Sequence, residues 1–191
     1  MNFITKNKQY TDDEKDIILY GLESLYLTYT KMVVIFLLAF VLGCFKETII
    51  LLITYNIIRA KAFGIHATKS IYCLISSILI FIGGALICKY ITLPLEIMVI
   101  VSIICDICLL LFAPADTHKH PLINAKKRKK FKFISFSLGI IYTILIVVLK
   151  DYFIVNYLLF GLIFSVIMVL PITYKIFKLP YNNYKNYNYG V

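Results

Sequence analysis

The chain has 191 residues, 61% of them hydrophobic, with a mean hydropathy of +0.86 and a formal net charge of +10. Globular chains run about 45–50% apolar, and a soluble domain of this size has too much surface to hide the excess. A soluble fold is therefore excluded, and a single integral membrane domain over residues 1–191 is expected. The positive charge would suggest nucleic acid in a soluble protein. Here it sits in short loops between apolar runs, where it sets topology, and no nucleic-acid partner is expected.

In chain order, residues 1–16 are polar and lack the apolar core of a secretory leader, so the first span is expected to be its own insertion signal. Ile17, Ile18, Gly21, Leu22, Leu25 and Tyr29 recur at helical spacing with Glu23 and Lys31 between them. Residues 1–31 are read as a cytoplasmic, interfacial region with an amphipathic helix over 16–31. Spans are expected over 32–45, 48–64, 70–88, 93–112, 133–149 and 153–174, with Lys46 and Glu47 dividing the first two. The fold class is thus all-α: a polytopic membrane bundle of about six hydrophobic helices plus the amphipathic helix. Six spans place all but Lys46, Lys89 and Lys150 of the 20 lysines and arginines on one side. The positive-inside rule puts that side, and both termini, in the cytoplasm. The Tyr- and Asn-rich stretch 180–191 reads as a flexible cytoplasmic tail.

The five cysteines, Cys44, Cys73, Cys88, Cys105 and Cys108, are odd in number and irregularly spaced. They do not form a disulfide framework. Cys73 stands out because His66 precedes it by seven residues in a cytoplasmic connection. A thiol with a pKa of about 8.5 is a poor nucleophile until a base or dipole lowers it, and histidine is the usual partner. On one straight helix the two would lie about 10 Å apart along the axis, so a working pair requires a bend. Gly64 permits one. Ser70 is a possible N-cap, which would put Cys73 in a first turn, where the dipole and free N–H groups favour a thiolate and an oxyanion. Spacing alone equally fits an ordinary loop histidine and an ordinary cysteine at a helix start.

Other residues offer weaker signals. Asp116 fits a turn residue, a group orienting His66 or a substrate contact. Asp116, His118 and His120 lack a further ligand at sensible spacing, so no metal is expected, and nothing calls for a cofactor. The run Lys126-Lys127-Arg128-Lys129-Lys130 reads as a topogenic anchor that attracts anionic lipid of the inner leaflet. Cys105 and Cys108 lie within an apolar span, which argues against a redox pair. Asp106, between them, is an intramembrane carboxylate of the kind that often marks function.

Three blocks carry a family resemblance. Arg59, Gly64, His66 and Ala67, with Cys73 beyond, resemble the active-site region of AgrB proteins, the membrane endopeptidases of accessory gene regulator quorum-sensing systems. Ala113-Pro114-Ala115-Asp116-Thr117, continued by Lys119 and Pro121, resembles a second block of that family. Tyr20-Gly21-Leu22-Glu23 is a third, shorter match. The sequence departs at Phe63, where many members have a second glycine. The resemblance covers the chain from end to end. It implies that Cys73 is the nucleophile and His66 its general base, with Arg59, Gly64, Ser70, Asp116 and Glu23 supporting. The implied substrate is an AgrD-like propeptide, cut on its C-terminal side through a Cys73 thioester and closed into a thiolactone or lactone. Lys126, Lys127, Arg128, Lys129 and Lys130 would then draw in the propeptide's charged end. A homodimer is the assembly considered. The alternatives are a small transporter or exporter subunit working through Asp106, and a non-catalytic membrane adaptor.

Overall fold

The computed structural model describes residues 12–65, 70–117, 122–149 and 152–186. In order these form α1 (Asp12–Val41), α2 (Phe45–Ala62), α3 (Ser70–Ile78), a π-turn (Leu79–Gly83), α4 (Gly84–Tyr90), α5 (Leu95–Phe112), α6 (Ala125–Leu149), α7 (Tyr152–Ile167), α8 (Pro171–Ile176) and a 3-10 turn (Asn183–Asn186). The protein is all-α, with no strand among the described residues. Three helical stretches are long and apolar enough to cross a membrane: Ile71–Tyr90, which runs through the π-turn, Leu95–Phe112 and Ala125–Leu149. Leu25–Val41 and Phe153–Ile167 are shorter apolar helices.

The distribution of polarity shows why a bilayer suits this bundle. On α5, Ser102 and Asp106 are buried while Ile100, Ile103, Ile104, Ile107 and Leu111 are exposed. Thr54, Ser135, Asn156 and Ser165 are also buried. Without water outside, polar groups must find partners between helices. The Thr54 hydroxyl donates to the Tyr157 carbonyl at 3.1 Å, and the Tyr142 hydroxyl donates to the Thr54 carbonyl at 2.9 Å. Gly161 makes the approach of α2 to α7 possible, since a Cβ there would lie 2.6 Å from Thr54 Oγ1. Asp106 accepts the Thr143 hydroxyl at 2.7 Å across the α5–α6 interface, where Gly139 leaves room for the carboxylate.

Several boundaries differ from expectation. The amphipathic segment runs on into the first span as one uninterrupted helix, α1, a continuation its sequence allows. It ends not at Lys46 and Glu47 but at Gly43, whose φ of +64 suits glycine. The Cys44 amide returns to the Ala39 carbonyl and the Gly43 amide to Phe40, closing a Schellman turn. Lys46 and Glu47 fall in the first turn of α2. Helix α6 starts at Ala125 instead of about residue 133, because the Asn124 side chain caps it through the Lys126 and Lys127 amides at 3.0 and 3.1 Å. The basic run is therefore helical.

The expected span 153–174 is interrupted after Ile167. Pro171 has no N–H to continue the ladder and opens α8 instead. The Thr173 hydroxyl takes the freed Ile167 carbonyl. The expected loose tail is anchored in its described part: Asn183 is buried, and the 3-10 turn packs against the end of the bundle that holds Asp116.

Candidate active site

The site grows from the C-terminal end of α2. The Phe63 amide returns to the Arg59 carbonyl at 3.0 Å and ends the helix. The chain then turns through two consecutive positive φ angles, +56 at Phe63 and +113 at Gly64. It continues as a short extended segment with a parallel bridge between Phe63 and Ala115. The Gly64 amide donates to the Ala115 carbonyl at 2.8 Å, and the Ala115 amide donates to the Ala62 carbonyl at 3.0 Å. One residue further on, the Ile65 amide donates to the Met168 carbonyl at 3.0 Å. The interruption of α7 leaves that carbonyl available.

Side chains complete the arrangement. The Arg59 guanidinium donates through one nitrogen to the Phe63 carbonyl and through the other to the Ile65 carbonyl. Its rigid fork suits two fixed acceptors. A Cβ at Gly64 would fall against both the Arg59 guanidinium and the Met168 carbonyl, so glycine is required by space as well as by φ. Ala62, Ala113 and Ala115 are buried, and their small side chains allow the two backbones to meet. Phe63 adopts a conformation that favours glycine, and its ring packs on Phe131 at 5.4 Å. The residue by which the sequence departs from the resembled family is thus one at which glycine would fit the backbone.

His66 is the next residue after this pinned segment, and it lies outside the described residues with Ala67, Thr68 and Lys69. Helix α3 is described from Ser70, and Cys73 lies on it. Cys73 is partly exposed and is a free thiol. The side chains of Ser70 and Glu23 also fall outside the description; Glu23 lies on α1.

Asp116 is buried in the connection just past α5, as the turn-residue reading had it. Its carboxylate accepts the backbone amides of Asn183 at 2.9 Å, Tyr184 at 2.8 Å and Leu122 at 3.4 Å. Its carbonyl accepts the Tyr174 hydroxyl at 3.0 Å. Burial pushes the Tyr174 phenol well above its ordinary range, which keeps it a donor. In the basic run, Lys126, Lys127, Lys129 and Lys130 are exposed. Arg128 turns inward, its guanidinium 3.7 Å from the Tyr184 ring centre and bonded to the Leu122 carbonyl at 3.2 Å. Among the described residues no group of three or more His, Cys, Asp or Glu is placed to hold a metal ion; His118 and His120 lie outside them.

The segments that meet here, 59–65 and 113–117, are the two blocks that carried the resemblance. A family model described as accessory gene regulator B matches residues 1–169. The chain belongs to the accessory gene regulator B family. An AgrB-like protein of Clostridium acetobutylicum is 35% identical over 164 residues, covering 86% of this chain and 78% of the relative. An AgrB-like protein of Listeria innocua is 30% identical over 187 residues, covering 96% and 91%. Accessory gene regulator protein B of Staphylococcus aureus strain Newman is 32% identical over 153 residues, covering 80% and 79%. No solved structure matches the chain. Sequence reasoning about this AgrB family member missed Met168, Tyr174 and Asn183. Pro171 inside an apolar run was the available signal for the first two; Asn183, in a polar tail, gave none.

Proposed function

We propose that this AgrB family member is a membrane cysteine endopeptidase of an accessory gene regulator quorum-sensing system, acting on an AgrD-like propeptide. The observation that carries the reading is the pinned segment Phe63–Ile65. It is held by Arg59, Ala115 and Met168 immediately before His66, and Cys73 lies on the helix described from Ser70. Such fixation has little value for an ordinary loop and much for a residue that must meet a thiol at hydrogen-bonding distance.

In this mechanism His66 takes the Cys73 proton and the thiolate attacks the scissile carbonyl. The first-turn amides of α3 steady the oxyanion. The C–N bond breaks, the His66 proton passes to the departing amine, and the N-terminal part of the propeptide stays as a thioester on Cys73. A cysteine or serine within that peptide then attacks the thioester and frees Cys73. The product is a thiolactone or lactone: the acyl group passes from Cys73 to the attacking sulfur or oxygen, whose proton returns to the Cys73 thiolate through His66. The exposed lysines at 126, 127, 129 and 130 suit the acidic end of a propeptide and the anionic inner leaflet. The site would face the cytoplasm, with both termini on that side, and a homodimer is compatible with this arrangement.

The test is co-expression with the candidate propeptide, followed by mass spectrometry, for wild type, Cys73→Ala and His66→Ala. Loss of cleavage in both variants at unchanged membrane levels supports the pair, and an acyl adduct on Cys73 supports the thioester. Cleavage that persists in Cys73→Ala rules the mechanism out. The transporter alternative draws on buried Asp106 and predicts the opposite pattern, with sensitivity to Asp106→Asn and tolerance of Cys73→Ala. Cleavage by none of the three proteins would leave the transporter and the adaptor.

A further inference from the structure

Asp116 stands one residue from Ala115, which exchanges hydrogen bonds with Ala62 and Gly64. Its two carboxylate oxygens are occupied by the tail: Oδ1 by the Asn183 amide, Oδ2 by the Tyr184 amide together with Leu122. A buried carboxylate needs such donors, because leaving one unpaired costs the full desolvation of the charge. The Asn183 side chain adds a second bond, its Nδ2 donating to the Asp116 carbonyl at 3.5 Å and to the Pro180 carbonyl at 2.9 Å. Around this point the Tyr181 hydroxyl reaches the Phe112 carbonyl at 3.4 Å, the Tyr181 ring meets Tyr174 at 5.0 Å, and Arg128 covers Tyr184. The turn thus touches the end of α5, the start of α6 and α8 at once.

We propose that the C-terminal turn is a working part of the site. Asp116 is a positioning residue that uses the Asn183 and Tyr184 amides to hold Ala113–Asp116 against Gly64, and so fixes the loop leading into His66. Among the described residues the carboxylate's partners are the Asn183, Tyr184 and Leu122 amides. The consequence for catalysis rests on the peptidase reading above; the mechanical coupling does not.

The experiment compares the full chain with a variant ending at Leu179, with Asp116→Asn, and with the two combined, all in nanodiscs. Lys185→Ala, on the same turn, is the control. Hydrogen exchange is read at peptides covering Gly64, Ile65 and Ala115. Truncation and Asp116→Asn are each expected to speed exchange there about tenfold or more while the interiors of α2 and α5 keep their protection. With propeptide, kcat is expected to fall about tenfold with KM nearly unchanged, and the combined variant is expected to be no slower than the slower single one. Exchange that stays at the wild-type level in the truncated chain, or fully additive losses, overturns the proposal. If truncation prevents folding, Asn183→Pro, which removes one tail amide and the two Asn183 side-chain bonds, is read in the same way. A wild-type chain that does not cleave the propeptide removes the peptidase reading, while the exchange data still decide the coupling.

Discussion

The Ile65 amide donates to the Met168 carbonyl at 3.0 Å, joining the segment before His66 to the point where α7 breaks. Residues over a hundred positions apart thereby fix each other: the helix interruption supplies the acceptor, and the loop supplies the donor that a broken helix end needs.

Gly64 is the position with least tolerance. At φ +113, with the Arg59 guanidinium and Met168 carbonyl where a Cβ would go, Gly64→Ala must displace the Ile65–Met168 bond. We expect cleavage to fall at least about a hundredfold and stability to drop by about 1–3 kcal/mol. Propeptide turnover and thermal unfolding in detergent measure the two effects; wild-type turnover would show that the loop geometry is immaterial.

Phe63 should reverse the usual order of substitutions. Phe63→Ala loses the ring contact with Phe131 and keeps the backbone strain, whereas Phe63→Gly loses the ring and relieves the strain. Strain of this kind costs about 1–3 kcal/mol, so Phe63→Gly is expected to unfold at a higher temperature than Phe63→Ala. An alanine variant equal to or more stable than the glycine variant contradicts the assigned backbone.

Arg59 holds two carbonyls that turn away from any helix. Lysine keeps the charge but not the fork. Hydrogen bonds to charged groups contribute about 1.5–3 kcal/mol. Arg59→Lys is therefore expected to lower kcat about 10- to 100-fold, with membrane levels held. Activity near wild type in Arg59→Lys would mean that charge alone suffices.

Asp106 accepts the Thr143 hydroxyl between α5 and α6, beside Gly139. Asp106→Asn preserves shape and the bond to Thr143, so cleavage is expected to stay within about threefold of wild type. Gly139→Ala, which would set a Cβ against the Asp106 carboxylate, is expected to be the more damaging change, read as lower yield and melting temperature.

The fold class was legible because apolar runs and loop charges report the bilayer directly. Pro94 and Pro114 marked the start and end of α5 for the reason prolines usually do. The sequence also drew attention to Arg59, Gly64 and Asp116, but not to what they do. Arg59 reads as one more topogenic cation until its fork is seen on two carbonyls. Asp116 reads as a turn residue until the tail amides are found on it, since backbone donors leave no imprint on side-chain identity. The division of the first two spans went to the conspicuous charges, Lys46 and Glu47, although Gly43 carried the turn. Length expectations carried the sixth span across Pro171, where a hydrogen-bond count would have stopped it.

The clamp at Asn183 and Tyr184 also bears on how the protein is made. A ribosome releases α2, then Ala113–Asp116, then the broken end of α7, and only after all of these the amides that close on Asp116. The contacts that close on Asp116 therefore cannot form until Asn183 and Tyr184 have been made, and a polypeptide cut short before Asn183 would carry the buried carboxylate without them.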